Sequence, residues 1–129
     1  SMLENVSGVD VSEKSKLSTR DEEILAGLKA KVTEVSNDID NFNLYLAAEK
    51  AYHYVWHELA DNVLEESKVI LNGENAEAKR ASQHVLYECL ISSLKLLHPF
   101  MPFVTEAIWQ EMPESLRETD MLIVAKWPE

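Results

Sequence analysis

Apolar residues recur at steps of three and four along most of the chain, and that period predicts four helices. Leu25, Leu28, Val32, Val35 and Ile39 form one stripe, with Lys29, Glu34 and Asp38 turned elsewhere. Thr19, followed at the capping-box distance by Glu22, marks the start of this first helix, and residues Asn37 to Asn41 mark the turn after it. The stretch from Asp40 to Leu71 contains no Gly or Pro and reads as one long second helix. Its expected inner face runs Tyr45, Ala48, Tyr52, Val55, Leu59 and Val63, and its wet face Lys50, His53, His57, Asp61, Glu65 and Lys68. Asn72 and Gly73, which tolerate the left-handed conformation, are expected to end it.

The third helix is predicted from Ala76 to Leu97. It is polar at first, then apolar around most of its circumference from Val85 onward, as a central core helix must be. Ser92 and Ser93 there permit close packing and can bond back to main-chain carbonyls. Pro99 forbids continuation and Pro102 suits a first turn, so residues 98 to 103 make an apolar corner before a fourth helix from Pro102 to Met112. Met121 to Val124 is too short for a helix and reads as an extended segment laid along the bundle. The expected fold is therefore all-α, an up-and-down four-helix bundle with a short extended C-terminal segment. Residues 1–17 are read as a tag remnant (Ser1-Met2) and linker, and 18–129 as one helical domain.

Composition sharpens this picture. The 129 residues are 46% hydrophobic and 27% charged, with three Gly, which fits an ordered globular domain and excludes collagen-like, low-complexity and disulfide-scaffold classes. A single Cys89 cannot close an internal bridge, which points to a reducing, cytoplasmic setting. No run nears the roughly 20 apolar residues that span a bilayer, so no membrane partner is expected. The formal charge of −11 opposes nonspecific attraction to phosphate backbones, so any nucleic-acid role must rest on a local patch.

Candidate chemistry is sparse. His57-Glu58 with Asp61 resembles a zinc H-E-x-x-H and His53 adds a nitrogen one turn earlier, but a wet helix face produces the same pattern, and no metal site is expected. Lys14 to Lys16 lacks the glycines of a phosphate loop. Cys89 reads as a buried thiol, and Trp56, Trp109 and Trp127 as packing residues. No catalytic residues are expected.

The run Leu94-Lys95-Leu96-Leu97-His98-Pro99-Phe100-Met101-Pro102-Phe103-Val104-Thr105-Glu106-Ala107-Ile108-Trp109 resembles the anticodon-binding domain of class I aminoacyl-tRNA synthetases, with the valine-specific enzymes matching best. Residues 51–61 with Leu64, Glu65, Ser67 and Lys68 look like that domain's long second helix, residues 16–25 like its entry, and 125–129 like its closing segment. The resemblance implies a partner tRNA, held by its anticodon arm. It also implies separate catalytic and editing domains that use ATP and magnesium, with no cofactor in the helical domain itself. The family's His-x-Gly-His and Lys-Met-Ser-Lys-Ser signatures do not occur in these residues.

Where the family usually carries Asp-Arg-Trp-Ile-Leu-Ser-Arg-Leu, this chain has Asp21-Glu22-Glu23-Ile24-Leu25-Ala26-Gly27-Leu28, losing two basic residues and an aromatic one. The remaining tRNA-contact candidates are Arg20, Gly27 and Lys31 on one face of the first helix, with Lys29 and the pair Lys79 and Arg80 as supplements. A rival reading is a helical protein–protein interaction module. A basic groove beside the first helix would favour RNA, and an acidic surface with an exposed aromatic patch would favour protein docking.

Overall fold

The computed structural model describes residues 16–128. Helix α1 spans Thr19–Asp40. Its N-cap is Ser18, one residue before the predicted Thr19: the Ser18 hydroxyl accepts the Asp21 N–H at 3.0 Å, and the Asp21 carboxylate accepts the Ser18 N–H at 3.0 Å. The sequence offers two overlapping boxes, and Leu17, packed against the core, fixes the earlier one. The lead-in read over Ser1 to Leu17 lies outside the described residues except for Lys16 and Leu17.

The turn after α1 is a Schellman motif. Asn43 donates to the Asp38 carbonyl at 2.8 Å and Phe42 to that of Ile39 at 3.0 Å, with Phe42 at φ 61° in the left-handed position usually held by glycine. Asn72 and Gly73 end their helix as expected, but not through the left-handed conformation. Asn72 closes its helix at φ −87° and Gly73 has no positive φ; the Asn72 N–H bonds to the Lys68 carbonyl in the ordinary helical way and the Gly73 N–H to that of Ile70 in a tighter 3-10 turn.

The second rod comprises α2 (Leu44–His53), a π-helical stretch (Tyr54–Val63) and α3 (Leu64–Leu71), with right-handed helical backbone through both joints. The π stretch explains why the predicted inner face is half wrong. A π turn takes up an extra residue, so the buried positions step from Tyr54 by five to Leu59 and then by four to Val63 and Ser67. Projecting an α-period back from Leu59 lands on Val55, Tyr52, Ala48 and Tyr45. The residues buried are instead Tyr54, Ala51 and Ala47, while Tyr45 and Tyr52 face solvent.

Helix α4 (Ala76–Leu97) is capped by Asn75, whose side-chain oxygen accepts the Ala78 N–H, and from Ala81 onward it is the central helix. Ser93 bonds back to the Cys89 carbonyl at 2.6 Å. The apolar corner leads into α5 (Pro102–Glu111), fixed by the buried Thr105, which donates to the Met101 carbonyl and meets His98 Nδ1 at 2.8 Å. Beyond α5 the chain is not one extended segment. Single 3-10 turns at Glu114–Leu116 and Leu122–Val124 interrupt it. Polar side-chain groups staple it to the bundle: Tyr87 Oη to the Leu116 carbonyl (2.8 Å), Trp109 Nε1 to that of Thr119 (2.9 Å), and, from a half-buried ring, Trp127 Nε1 to Ser36 Oγ (2.9 Å).

The result is an all-α bundle, with no strand among the described residues. Its core has two parts. A large one centres on Leu59, Val85, Leu86, Cys89 and Trp109, and a smaller one on Val32, Val35, Ala47, Ala51, Leu96 and Leu97. Among the described residues no helix is long and apolar enough to cross a membrane.

Candidate nucleic-acid interface

Arg20, Gly27 and Lys31 lie at i, i+7 and i+11 on α1, one face of the helix. Arg20 and Gly27 line a cleft of about 380 Å³ against the π stretch, with Glu23, Ile24, Tyr54, Glu58, Leu59, Asn62 and Val63 completing its walls. Nothing lies within 4 Å of a Cβ built on Gly27, so packing does not demand glycine there and the space is open to a ligand. The cations beside it are engaged. Arg20 grips Glu66 with two nitrogens, at 2.9 and 3.1 Å, and reaches Glu23 at 3.3 Å. Lys31 pairs with Glu34 at 2.9 Å and lies 5.9 Å over the Tyr54 ring. The hydrogen bond from Lys31 holds the Glu34 carboxyl below its ordinary range.

The other candidates do not join this cleft. Lys29, nine residues from Arg20, sits on the opposite side of α1. Lys79 and Arg80 belong to the first turns of α4, at the end of the bundle where α1 also begins, but line neither the Gly27 cleft nor the neighbouring one of about 260 Å³ between Ser18, Asp21, Ile70 and Asn75. The groove beside α1 is thus mixed in charge, one arginine against two glutamates, and not the basic groove that the RNA reading anticipated.

Sequence reasoning missed the rings. Trp109 is fully buried and Trp127 half-buried, as packing residues should be, but Trp56 is 43% exposed and stacks on Tyr52 with ring centres 4.7 Å apart and planes 8° from parallel. The signal available was the surplus of large aromatic residues on a rod whose alanines could fill the inner face. Next to this pair, His53 and His57 tilt against each other at 4.8 Å, and His57 Nδ1 meets Asp61 at 3.5 Å. Among the described residues no group of three or more His, Cys, Asp or Glu is placed to hold a metal ion. Cys89 is fully buried, and burial, aided by Glu88, pushes its thiol up to about 12, so it is inert at neutral pH.

The closing segment hangs on Glu106, whose carboxylate accepts the Leu122 N–H at 2.9 and 3.1 Å. Burial would raise this carboxyl, but bonds from Gln110, Leu122 and Ile123, with His98 nearby, hold it below its ordinary range. Lys95, nearly buried in α4, reaches Glu118 at 2.7 Å.

A family model described as the anticodon-binding domain of tRNA ligase matches residues 21–129. Valine–tRNA ligase of Petrotoga mobilis is 41% identical over 113 residues, covering 88% of this chain and 13% of that protein. The enzyme of the same name from Clostridium tetani is 42% identical over 106 residues, covering 82% and 12%, and that from Thermotoga maritima 40% over 113 residues, covering 88% and 12%. The chain spans only 12 to 13% of the length of these relatives.

Proposed function

The chain belongs to the family of tRNA-ligase anticodon-binding domains, and from that premise we propose that it grips the anticodon arm of a valine tRNA while other parts of a longer protein aminoacylate it. The observation that carries this reading is the match over nearly the whole helical bundle, residues 21–129, with relatives that bear the valine-enzyme name; it outweighs a surface whose mixed cleft and exposed rings fit the protein-docking alternative. The catalytic and editing domains of that longer protein are its proposed neighbours, and ATP and magnesium belong there. The domain's own task is positioning: it holds the arm in register and reads the loop by contacts to bases.

The cleft beside Gly27 supports close approach of RNA to α1, with Arg20 as the proposed contact at its rim and Lys31 further along the same face. Lys29, Lys79 and Arg80 remain proposed contacts to phosphate from other faces. Because Glu23, Glu58 and Glu66 surround the cleft or hold Arg20, few phosphates can be neutralised there, and binding by the domain alone should be weak. The test is titration of valine tRNA at two ionic strengths. Affinity should fall as salt rises, by the shallow slope of only a few phosphate contacts, and Arg20→Gln should flatten it by well under one, since Glu66 and Glu23 already hold the guanidinium. No binding at low salt would overturn the proposal.

A further inference from the structure

We infer that the exposed rings of Phe42, Tyr45, Tyr52 and Trp56 form a stacking track for unpaired RNA bases, an inference that rests on the RNA-binding reading above. Their exposures are 87%, 83%, 48% and 43%, whereas large aromatic residues ordinarily contribute most when buried. Tyr45, Tyr52 and Trp56 stand at i, i+7 and i+11, so they share the outward face of the second rod. From Tyr45 to Trp56 the rod rises roughly 16 Å, a length over which a few bases can be spread. Phe42 precedes them at the tip of the same rod.

Three features make this more than a scatter of surface rings. First, the π stretch carries the register change that turns Tyr45 and Tyr52 out and lets the alanines Ala47 and Ala51 fill the inner face. Second, Tyr52 and Trp56 are already parallel at 4.7 Å, each ring limiting the other's rotamers. A base that continues this stack meets a pre-ordered surface and does not have to immobilise it. Third, Phe42 adopts a backbone conformation that residues with a Cβ avoid, yet its side chain is almost wholly exposed, so burial does not compensate the strain. A bulky, exposed residue at such a position contributes little to the fold, and its ring is free for contact with a ligand.

The chemistry of the surroundings selects bases over backbone. Glu49 lies between Tyr45 and Tyr52 on the same face, and Asp61 engages His57 beyond Trp56. Carboxylates at those points repel phosphate but leave the uncharged face of a base free to stack, and the His53 and His57 rings flank the platform with N–H donors for base edges. The track is separate from the Gly27 cleft, since none of its four rings lines that cleft.

The test uses this chain and an RNA hairpin carrying the valine anticodon in its loop, with 2-aminopurine replacing a loop purine. Binding should quench the 2-aminopurine, the signature of stacking, and the double variant Tyr52→Leu, Trp56→Leu should bind about ten-fold or more weakly and lose the quenching. Trp56→Phe should restore most of both. Phe42→Gly should raise the melting temperature, because the left-handed strain is relieved, and still weaken binding several-fold; a merely structural residue would move the two readouts in the same direction. If the unaltered chain binds the hairpin while the variants bind within about two-fold of it without loss of quenching, the track is overturned and the RNA reading stands, leaving the rings to a protein contact. If the unaltered chain binds neither the hairpin nor valine tRNA at low salt, both fall.

Discussion

The two ends of the bundle are dressed oppositely. At the end where α1 and α4 begin and α3 stops, Asp21, Glu22 and Glu77 sit in first turns, Glu66 reaches over from α3 to Arg20 with Glu23 beside it, and the cations Arg20 and Lys68 are held in ion pairs. Acidic residues in first turns are stabilised by the positive ends of α1 and α4. At the opposite end, where α1 and α4 stop and α2 and α5 start, Phe42, Leu44, Tyr45, Phe103 and Val104 stand in solvent around a mostly apolar groove of about 390 Å³, walled by Ile39, Leu44, Pro99, Phe100 and Trp127 with Ser36 and Asp40 as its polar members. The contrast teaches that a net charge of −11 says little about where an acidic domain can meet RNA. Charge guards one end, and the rings are offered at the other and along the second rod.

The same asymmetry runs inside. The large core contains Trp109 and the titratable Cys89 and Tyr54, while the smaller core under the apolar tip is built from aliphatic side chains, two of them alanines. The strongest way to break the contrast is Trp109→Ala, which removes a fully buried indole and its bond to the Thr119 carbonyl and should cost about 3–5 kcal/mol by urea denaturation. Trp127→Ala, at a ring only half-buried against the smaller core and bonded to Ser36, should cost only about 1–2 kcal/mol. Equal losses would mean that the two cores carry equal weight.

Alkali separates the cores without mutation. A thiol at its ordinary 9.0 when unfolded and pushed up to about 12 when folded keeps its proton more tightly in the native state. Its contribution is therefore fully present below about pH 9 and is lost at about 1.4 kcal/mol for each unit climbed toward 12. Tyr54, raised chiefly by burial, adds to the same trend at higher pH. Cys89→Ala should flatten the stability profile between about pH 9 and 10.5, roughly the reach of equilibrium denaturation; an unchanged slope would place the linkage elsewhere.

Much of this architecture was legible beforehand, because it follows from local rules. α4 begins and ends where its polar start, core run and Pro99 predict, and α5 starts at the proline that suits a first turn. What the sequence concealed was a change of helical period. Nothing in Tyr54 to Val63 announces i to i+5 hydrogen bonding, since the choice is made by packing, where Ala47 and Ala51 let α2 approach α1 closely. One extra residue in a turn was enough to put Tyr45 and Tyr52 on the wrong side. The site suffered a second loss: Arg20, Gly27 and Lys31 were correctly placed on one face, but the carboxylate that holds Arg20 comes from Glu66, 46 residues away, a pairing that no local pattern contains.

That long-range pair supplies the gentlest probe of the two ends. Glu66 and Arg20 are each about half-exposed, so solvent screens their attraction and Glu66→Gln should cost no more than about 0.2–1 kcal/mol of stability. Its effect on RNA should run the other way. The substitution removes a negative charge and leaves Arg20 with Glu23 as its remaining partner at 3.3 Å, so the guanidinium can turn toward a phosphate. Affinity for valine tRNA at low salt should rise a few-fold, and the plot of log affinity against log salt should steepen by up to about one. Ring substitutions at Tyr52 and Trp56 should instead lower affinity by a similar factor at both salt concentrations, because a stacked base releases no counterion. Were Glu66→Gln to leave both the affinity and the salt slope untouched, the charged end would have no part in meeting RNA, and the rings alone would carry the contact.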